Sequence, residues 1–438
     1  MQTVKNNLQK KISIISLGCA KNLVDSETLF TQIKSNNIPV YFHENDDTLN
    51  IDDIVIINTC GFIGSAKEES INTILHYINL KKLGKLSKVF VMGCLSQLYG
   101  EELKNEIPEI DSIFGHNQIK NILQDLNLNY RNELYGERII TTPSHFAFLK
   151  IAEGCNRPCS FCSIPKMRGV YKSKTIETIV EEAQFLASKN VKELILIAQD
   201  LTFYGKDIYN EIRLTKLLEE LVKIKGIEWI RLHYLYPSKF PMDLIDFIAS
   251  NNKICNYIDM PIQHISDNVL KSMRRGISKR KTIELLETIK KQLPNAALRT
   301  TLISGYPNET DADHKELLNF IQQMQFDRLG VFTYSREEHT TAYDLNYDLE
   351  EELKRERMLE ILDIQKNISL KLNQRHIDEI YKIIIDTETK DYFIGRTEFD
   401  SPDIDSKVFI KKNSNLDFAL GNFYNLKIKK VTHFDLYV

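Results

Sequence analysis

At 438 residues the chain is too long for one ordinary core, and its length predicts about three domains. Hydrophobic residues make up 42% of it, enough for real cores, while a formal net charge of -3 and a pI of about 6.4 exclude a global pull toward phosphate backbones or anionic lipid. No apolar run approaches the roughly 18 residues of a spanning helix, which excludes a membrane protein of that kind.

Lys10 and Lys11 precede a six-residue apolar run, 12–17, and then Gly18-Cys19, a faint likeness to a lipoprotein signal. The run is shorter than the roughly 7 to 15 residues of a signal core. It reads instead as a first buried strand, and the expected location is cytoplasmic. Seven cysteines, an odd number dispersed except for one trio, suit thiolate ligands in a reducing compartment better than a disulfide framework.

Short β-rich runs at 12–17, 54–58, 88–92 and 112–114 alternate with helical stretches, which predicts a small parallel α/β domain over 11–127. A polar stretch, 127–144, with Gly136 and Pro143, reads as a linker. Alternation restarts with runs at 146–152, 193–198, 227–234, 257–262, 297–303 and 329–334, separated by helical patterns. Six strands in that rhythm predict a partial (β/α)6 barrel within 141–372. A charged amphipathic helix at 349–372 connects to a terminal segment, 373–438, whose short alternating runs predict a small antiparallel β-barrel. The fold class is therefore α/β with an appended all-β module.

Cys155-Asn-Arg-Pro-Cys159-Ser-Phe-Cys162 gathers three thiols into one loop directly after the first barrel strand, at the face where such barrels place their chemistry. A zinc site would usually use Cys-x2-Cys pairs totalling four ligands, and no fourth Cys or His lies near this loop. Three protein sulfurs on a four-iron cube leave one iron open to a small molecule. The three-then-two spacing, with Phe161 before the last cysteine, resembles the radical S-adenosylmethionine superfamily. That resemblance implies a 4Fe-4S cluster held by Cys155, Cys159 and Cys162, with S-adenosylmethionine on the open iron as the source of a 5′-deoxyadenosyl radical.

Cys19, Cys60 and Cys94 are about forty residues apart, yet each follows a predicted strand of the first domain. Strand ends of a parallel sheet share one edge, with neighbours about 4.8 Å apart, so three thiols placed there can converge. Each has a glycine neighbour, Gly18, Gly61 or Gly93, that would let the backbone approach a bulky group. A plainer account is that small residues fill tight strand-to-helix turns.

Both trios followed by a small β-barrel resemble the methylthiotransferase family over nearly the whole chain. The resemblance implies a second 4Fe-4S cluster on Cys19, Cys60 and Cys94 that handles the inserted sulfur. Ser16-Leu-Gly-Cys-Ala-Lys-Asn-Leu-Val-Asp-Ser-Glu27 is similar to the RimO branch, which modifies an aspartate β-carbon in a small-subunit ribosomal protein, whether free or on the ribosome. The other branch modifies an adenosine of transfer RNA and usually shows glutamine and methionine after this cysteine. Ala20 departs from the proline common in the RimO branch. Further matches are Ile57-Asn-Thr-Cys-Gly-Phe-Ile63, Asp259-Met-Pro-Ile-Gln-His264, Arg299-Thr-Thr-Leu-Ile-Ser-Gly-Tyr-Pro307 and Phe332-Thr-Tyr-Ser-Arg-Glu-Glu338. The terminal module resembles a TRAM domain, often an RNA binder. Residues 369–438 carry 11 Lys and Arg against 11 Asp and Glu, a balance that does not favour RNA. The resemblance also implies an electron donor such as a flavodoxin or ferredoxin. A non-enzymatic iron-sulfur carrier or redox-sensing RNA-binding protein is the alternative from another class.

Gln199, at the end of the second barrel strand, and Gln263 are candidates for binding the cofactor, with His264 beside them, although barrel tops also carry scaffold residues. Arg157, Lys166 and Arg168 make the cluster loop basic, either to favour a reduced cluster or as a solvated loop. Asp400, Asp403 and Asp405 could meet a basic ribosomal protein or simply be solvated. Cys255 and Trp229 read as core residues.

Overall fold

The computed structural model describes residues 10–43, 46, 49–134, 136–412 and 418–438. Contacts divide the chain into two units: Met1–Thr141 with Ser163–Val170, and Thr142–Cys162 with Tyr171–Val438.

The first unit is built on a parallel sheet of β1 (Ile12–Ser16), β2 (Val40–Phe42), β3 (Ile54–Thr59), β4 (Lys88–Gly93) and β5 (Ser112–Ile113), in the order β2-β1-β3-β4-β5. Sheets of this kind are covered on both faces, so their strands read as near-continuous apolar runs. Ile12, Ile14, Ile54, Ile56, Phe90 and Met92 face one core with Leu29, Phe30 and Ile33, while Ile15, Val55, Ile57, Val89 and Val91 face the other with Ile74, Ile78 and Leu95. β2 is an addition to the expected strands: three residues after Pro39 at the sheet edge carry too little pattern to be seen.

The polar stretch expected as a linker is strapped to the helix Ala20–Lys34; residue 135 within it lies outside the described residues. Gln32 exchanges hydrogen bonds with the Arg131 backbone, each at 2.9 Å. Glu27 is buried and receives the Arg138 guanidinium and the Thr141 N–H and hydroxyl, at 2.8 and 2.7 Å for the latter two. A carboxylate can stay charged inside a protein only with such multiple partners.

In the second unit β6 (Phe146–Lys150) leads to the short β7 (Ala152–Glu153), which pairs antiparallel with β8 (Lys172–Ser173) and brackets the cysteine loop. β9 (Glu193–Ile197), β10 (Trp229–Leu232), β11 (Tyr257–Asp259), β12 (Ala297–Ser304) and β13 (Arg328–Thr333) follow. Parallel sheets β10-β9-β6 and β11-β12-β13 are joined by a bridge between Ile230 and Ile254, giving the six-stranded partial barrel. The connecting helix is Glu351–Asn373.

Among the described residues the terminal module has six strands, β14 (Ile380–Glu388), β15 (Tyr392–Arg396), β16 (Val408–Lys411), β17 (Phe423–Lys427), β18 (Lys430–Val431) and β19 (Leu436–Tyr437), curled in the order β17-β14-β15-β16-β19-β18. All its pairs are antiparallel except β16 with β19. It is no loose appendage, since Trp229, Cys255, Tyr257 and Ala297 of the barrel share a core with Ile384 and Phe399. Among the described residues no helix is long and apolar enough to cross a membrane.

Candidate functional site

Cys19, Cys60 and Cys94 follow β1, β3 and β4, and the pairing of Ser16 with Asn58 and of Thr59 with Gly93 sets these ends side by side. Gly18 has φ +84°, and a Cβ there would lie 2.6 Å from Cys60 Cβ and 2.9 Å from its Sγ. Gly93 has φ +108°, and its Cβ would fall 2.5 Å from both Asn58 Oδ1 and the Thr59 carbonyl. The glycines therefore let the strand ends close on one another, which is a different task from leaving room for a bulky group.

An amide network fixes the edge. Asn22 Nδ2 donates to the Leu17 and Thr59 carbonyls at 2.9 and 3.0 Å, and Asn58 Nδ2 donates to the Asn22 carbonyl and to Ser26 Oγ, both at 2.9 Å. Ser70 Oγ accepts from Cys60 N–H at 3.0 Å and donates to the Cys60 carbonyl at 2.9 Å. Burial pushes the Cys60 thiol up, and it pushes Cys94 up to about 11 against the opposing charge of Arg168. At Cys19, which remains accessible, crowding by the chain also raises the thiol, but Lys21, Arg168 and nearby backbone N–H groups outweigh it and leave the value lowered.

In the central loop Cys155 is buried and its thiol is raised to about 11, by burial first, with Asp200 and Cys159 adding to it against the Arg157 N–H. That N–H lies 3.4 Å from Cys155 Sγ. Cys159 Sγ meets Tyr236 OH at 3.4 Å and Arg275 Nη1 at 3.3 Å, while the Cys162 N–H donates to the Cys159 carbonyl at 3.2 Å. Ser160 anchors the turn: its hydroxyl donates to the Ser272 carbonyl and touches Tyr306 OH, each at 2.8 Å. Tyr236 and Arg275 are functional candidates that no spacing announces, since Arg275 lies 116 positions from Cys159.

The basic character expected of this loop is used internally. Arg157 Nε donates to Asp200 at 2.7 Å and its guanidinium lies 4.1 Å from the Tyr236 ring centroid. Arg168 is buried in the first unit, and Lys166 is exposed.

Gln199, after β9, donates through Nε2 to Glu153 at 2.8 Å, and its Oε1 is buried with no hydrogen-bond partner among the described residues. Gln263 adopts φ +73°, bridges to Leu302 and likewise keeps a buried Oε1 without a partner among those residues. Unsatisfied buried acceptors are uncommon, and two of them at the ends of barrel strands fit a ligand that offers N–H donors. His264 Nδ1 accepts from Ser266 N–H at 3.0 Å, its Nε2 is buried without a hydrogen-bond partner among the described residues, 3.8 Å from Glu309, and burial pushes its pKa down to about 3, so the ring is neutral. No three or more His, Cys, Asp or Glu among the described residues are grouped to hold a single metal ion. Two sets of soft thiols, each set spread along an edge or around a loop, fit corner ligation of iron-sulfur cubes instead.

Two of the three residues of the acidic stretch are used internally. Asp400 is fully buried and accepts from Arg328 at 2.9 and 2.6 Å, and Asp405 accepts from Tyr257 OH at 2.7 Å and Arg299 Nε at 3.3 Å. Asp403 alone of the three is exposed, at φ +68°. Trp229 and Cys255 are core residues, and burial drives the Cys255 thiol well above its usual value.

Family models match in three consecutive blocks: an uncharacterized protein family, UPF0004, at residues 11–115, the radical SAM superfamily at 149–321, and a TRAM domain at 377–438. Ribosomal protein uS12 methylthiotransferase RimO of Christiangramia forsetii is 51% identical, covering 99% of this chain and 95% of that protein. The enzymes of the same name from Flavobacterium psychrophilum and Bacteroides thetaiotaomicron are 52% and 48% identical, covering 99% and 98% of this chain and 98% of each relative. Among solved structures, the radical S-adenosylmethionine methyltransferase TsrM of Kitasatospora setae aligns with a TM-score of 0.56 at 13% identity, over 76% of this chain and 74% of that one, a likeness of fold.

Proposed function

The chain belongs to the RimO family of ribosomal protein uS12 methylthiotransferases, and from that premise we propose that it inserts a methylthio group at the β-carbon of an aspartate in that ribosomal protein, free or on the ribosome. What supports this most is the presence of two separate thiol trios in one chain, one on a loop leaving a barrel strand and one on a sheet edge. Cys155, Cys159 and Cys162 would hold the 4Fe-4S cluster that binds S-adenosylmethionine, and Cys19, Cys60 and Cys94 the one that handles sulfur.

When bound, these groups supply homolytic cleavage of a sulfonium bond and delivery of sulfur to unactivated carbon, chemistry beyond any side chain. The protein's own part is placement. Gln199 and Gln263 offer their Oε1 atoms to N–H groups of the nucleotide, and Arg275 donates to Cys159 while the Tyr236 hydroxyl, which donates to the Arg275 carbonyl, lies against the same sulfur. Arg157, clamped on Asp200, keeps the loop in register. In this division 11–127 handles sulfur, 141–372 carries the radical chemistry, and 373–438 meets the macromolecule. A low-potential flavodoxin or ferredoxin would supply electrons, in the cytoplasm.

The test is anaerobic turnover of the iron-loaded protein with the purified ribosomal protein, followed by peptide mass measurement. A methylthio increment on one aspartate-bearing peptide is expected. Modification of a transfer-RNA adenosine with the ribosomal peptide untouched would overturn the substrate assignment, and failure to release 5′-deoxyadenosine under reduction would favour a non-enzymatic iron-sulfur protein.

A further inference from the structure

Arg168 closes the short helix Ile164–Arg168, which follows Cys162 directly in sequence yet belongs to the first unit. Its side chain is only 3% exposed. All three guanidinium nitrogens are engaged: Nε donates to Cys94 Sγ at 3.2 Å, Nη1 to Asp25 Oδ2 at 3.0 Å, and Nη2 to Asn22 Oδ1. Asn22 is the residue that also ties the Leu17 and Thr59 carbonyls, so the guanidinium is locked to the framework that sets the strand ends.

Burying a guanidinium is costly unless charge and hydrogen bonds answer it. Asp25 supplies one carboxylate, and Nε is aimed at a sulfur. A neutral thiol is a weak acceptor. A thiolate carrying iron is a far better one, so the Nε geometry suits the metal-bound form of Cys94 more than the free thiol.

We propose that Arg168 is a positioning residue for the sulfur-handling cluster, orienting the Cys94 sulfur through its Nε–H and raising the reduction potential of the group bound there. The inference rests on the reading that Cys19, Cys60 and Cys94 hold a cluster. Reduction adds negative charge, and a fixed cation with an N–H bond to a ligating sulfur stabilises the reduced form more than the oxidised one.

The test uses the full chain with Cys155, Cys159 and Cys162 changed to alanine, reconstituted anaerobically with iron and sulfide, so that only the N-terminal cluster is read. About four irons per chain are expected. No iron at all overturns the cluster reading and this inference together. With iron bound, the midpoint potential is measured by a spectroscopic redox titration in this background and after adding Arg168→Gln or Arg168→Lys. The glutamine variant, lacking the charge, should shift to a more negative potential, and the lysine variant, keeping charge without the planar fork, should fall between. Full iron loading with an unchanged potential in both variants overturns the inference alone. Should the glutamine variant lose its iron, recovery of iron by lysine supports the role, whereas equal loss from both marks Arg168 as scaffold and overturns it.

Discussion

The two thiol trios are assembled by opposite routes. Cys155, Cys159 and Cys162 come from eight consecutive residues, so one loop conformation, pinned by Ser160, presents all three. Cys19, Cys60 and Cys94 come from three strands, and only the register of a parallel sheet collects them. A local cradle takes its spacing from its own turn, which the surrounding barrel only pins in place. A cradle made by topology depends on every strand arriving at the right height, which is why Gly18 and Gly93 are squeezed against their neighbours.

The largest expected effect separates the trios by chemistry. Alanine at Cys155, Cys159 or Cys162 should abolish release of 5′-deoxyadenosine, whereas alanine at Cys19, Cys60 or Cys94 should leave that release and stop methylthiolation, both followed by chromatography of quenched anaerobic reactions. Retained thiolation in the second set would refute a sulfur-handling role there. Next in size is the iron count, about eight per reconstituted chain and about four when either trio is removed as a set.

A backbone substitution sharpens the contrast further. Gly93→Ala forces a Cβ to within 2.5 Å of the Thr59 carbonyl at φ +108°. It should cost at least about 1–3 kcal/mol in the first unit and lower its iron content, with the central trio still loading iron. Ser160→Ala removes bonds to Ser272 and Tyr306 and should cost about 1–3 kcal/mol, with the first unit's iron retained. Equal loss of both clusters in either variant would show the two sites to be interdependent.

Acid should act through the second unit. Burial lowers His233 and His376 from 6.5 to about 4, so each stays neutral when folded while the unfolded chain takes up a proton. A histidine with a lowered folded value contributes stability above pH 6.5 and loses it as pH falls from there toward about 4. Chemical denaturation across that window should show the decline, and His233→Gln should make it shallower, with His376 and His264 supplying the remainder.

Much of this architecture was legible because it is local or periodic. The central trio is a spacing, and the edge trio is a recurrence of cysteine after apolar strand runs, readable once a parallel sheet is assumed. What stayed hidden is long-range pairing. The 127–144 stretch looks like a linker until Glu27 is seen to receive Arg138 and Thr141. Asp400 and Asp405 look like surface acids until Arg328, Arg299 and Tyr257 appear beside them, Arg275 shows no pattern that points to a sulfur, and Arg168, read with the central loop, turns to Cys94 instead. Charge along a chain gives no sign of the partner it will meet.

The ionic seam between the barrel and the terminal strands constrains how this protein can be altered. Arg231, Arg299 and Arg328 on barrel strands are answered by the Glu398 carbonyl, Asp405 and Asp400, and Arg396 returns the bond to Glu193. Deleting the last segment would remove these partners and bare the apolar barrel face that carries Trp229, Tyr257 and Ala297, so the module cannot be exchanged like a bead on a string. New target preferences would have to arise in the loops at its rim, with the seam inherited unchanged.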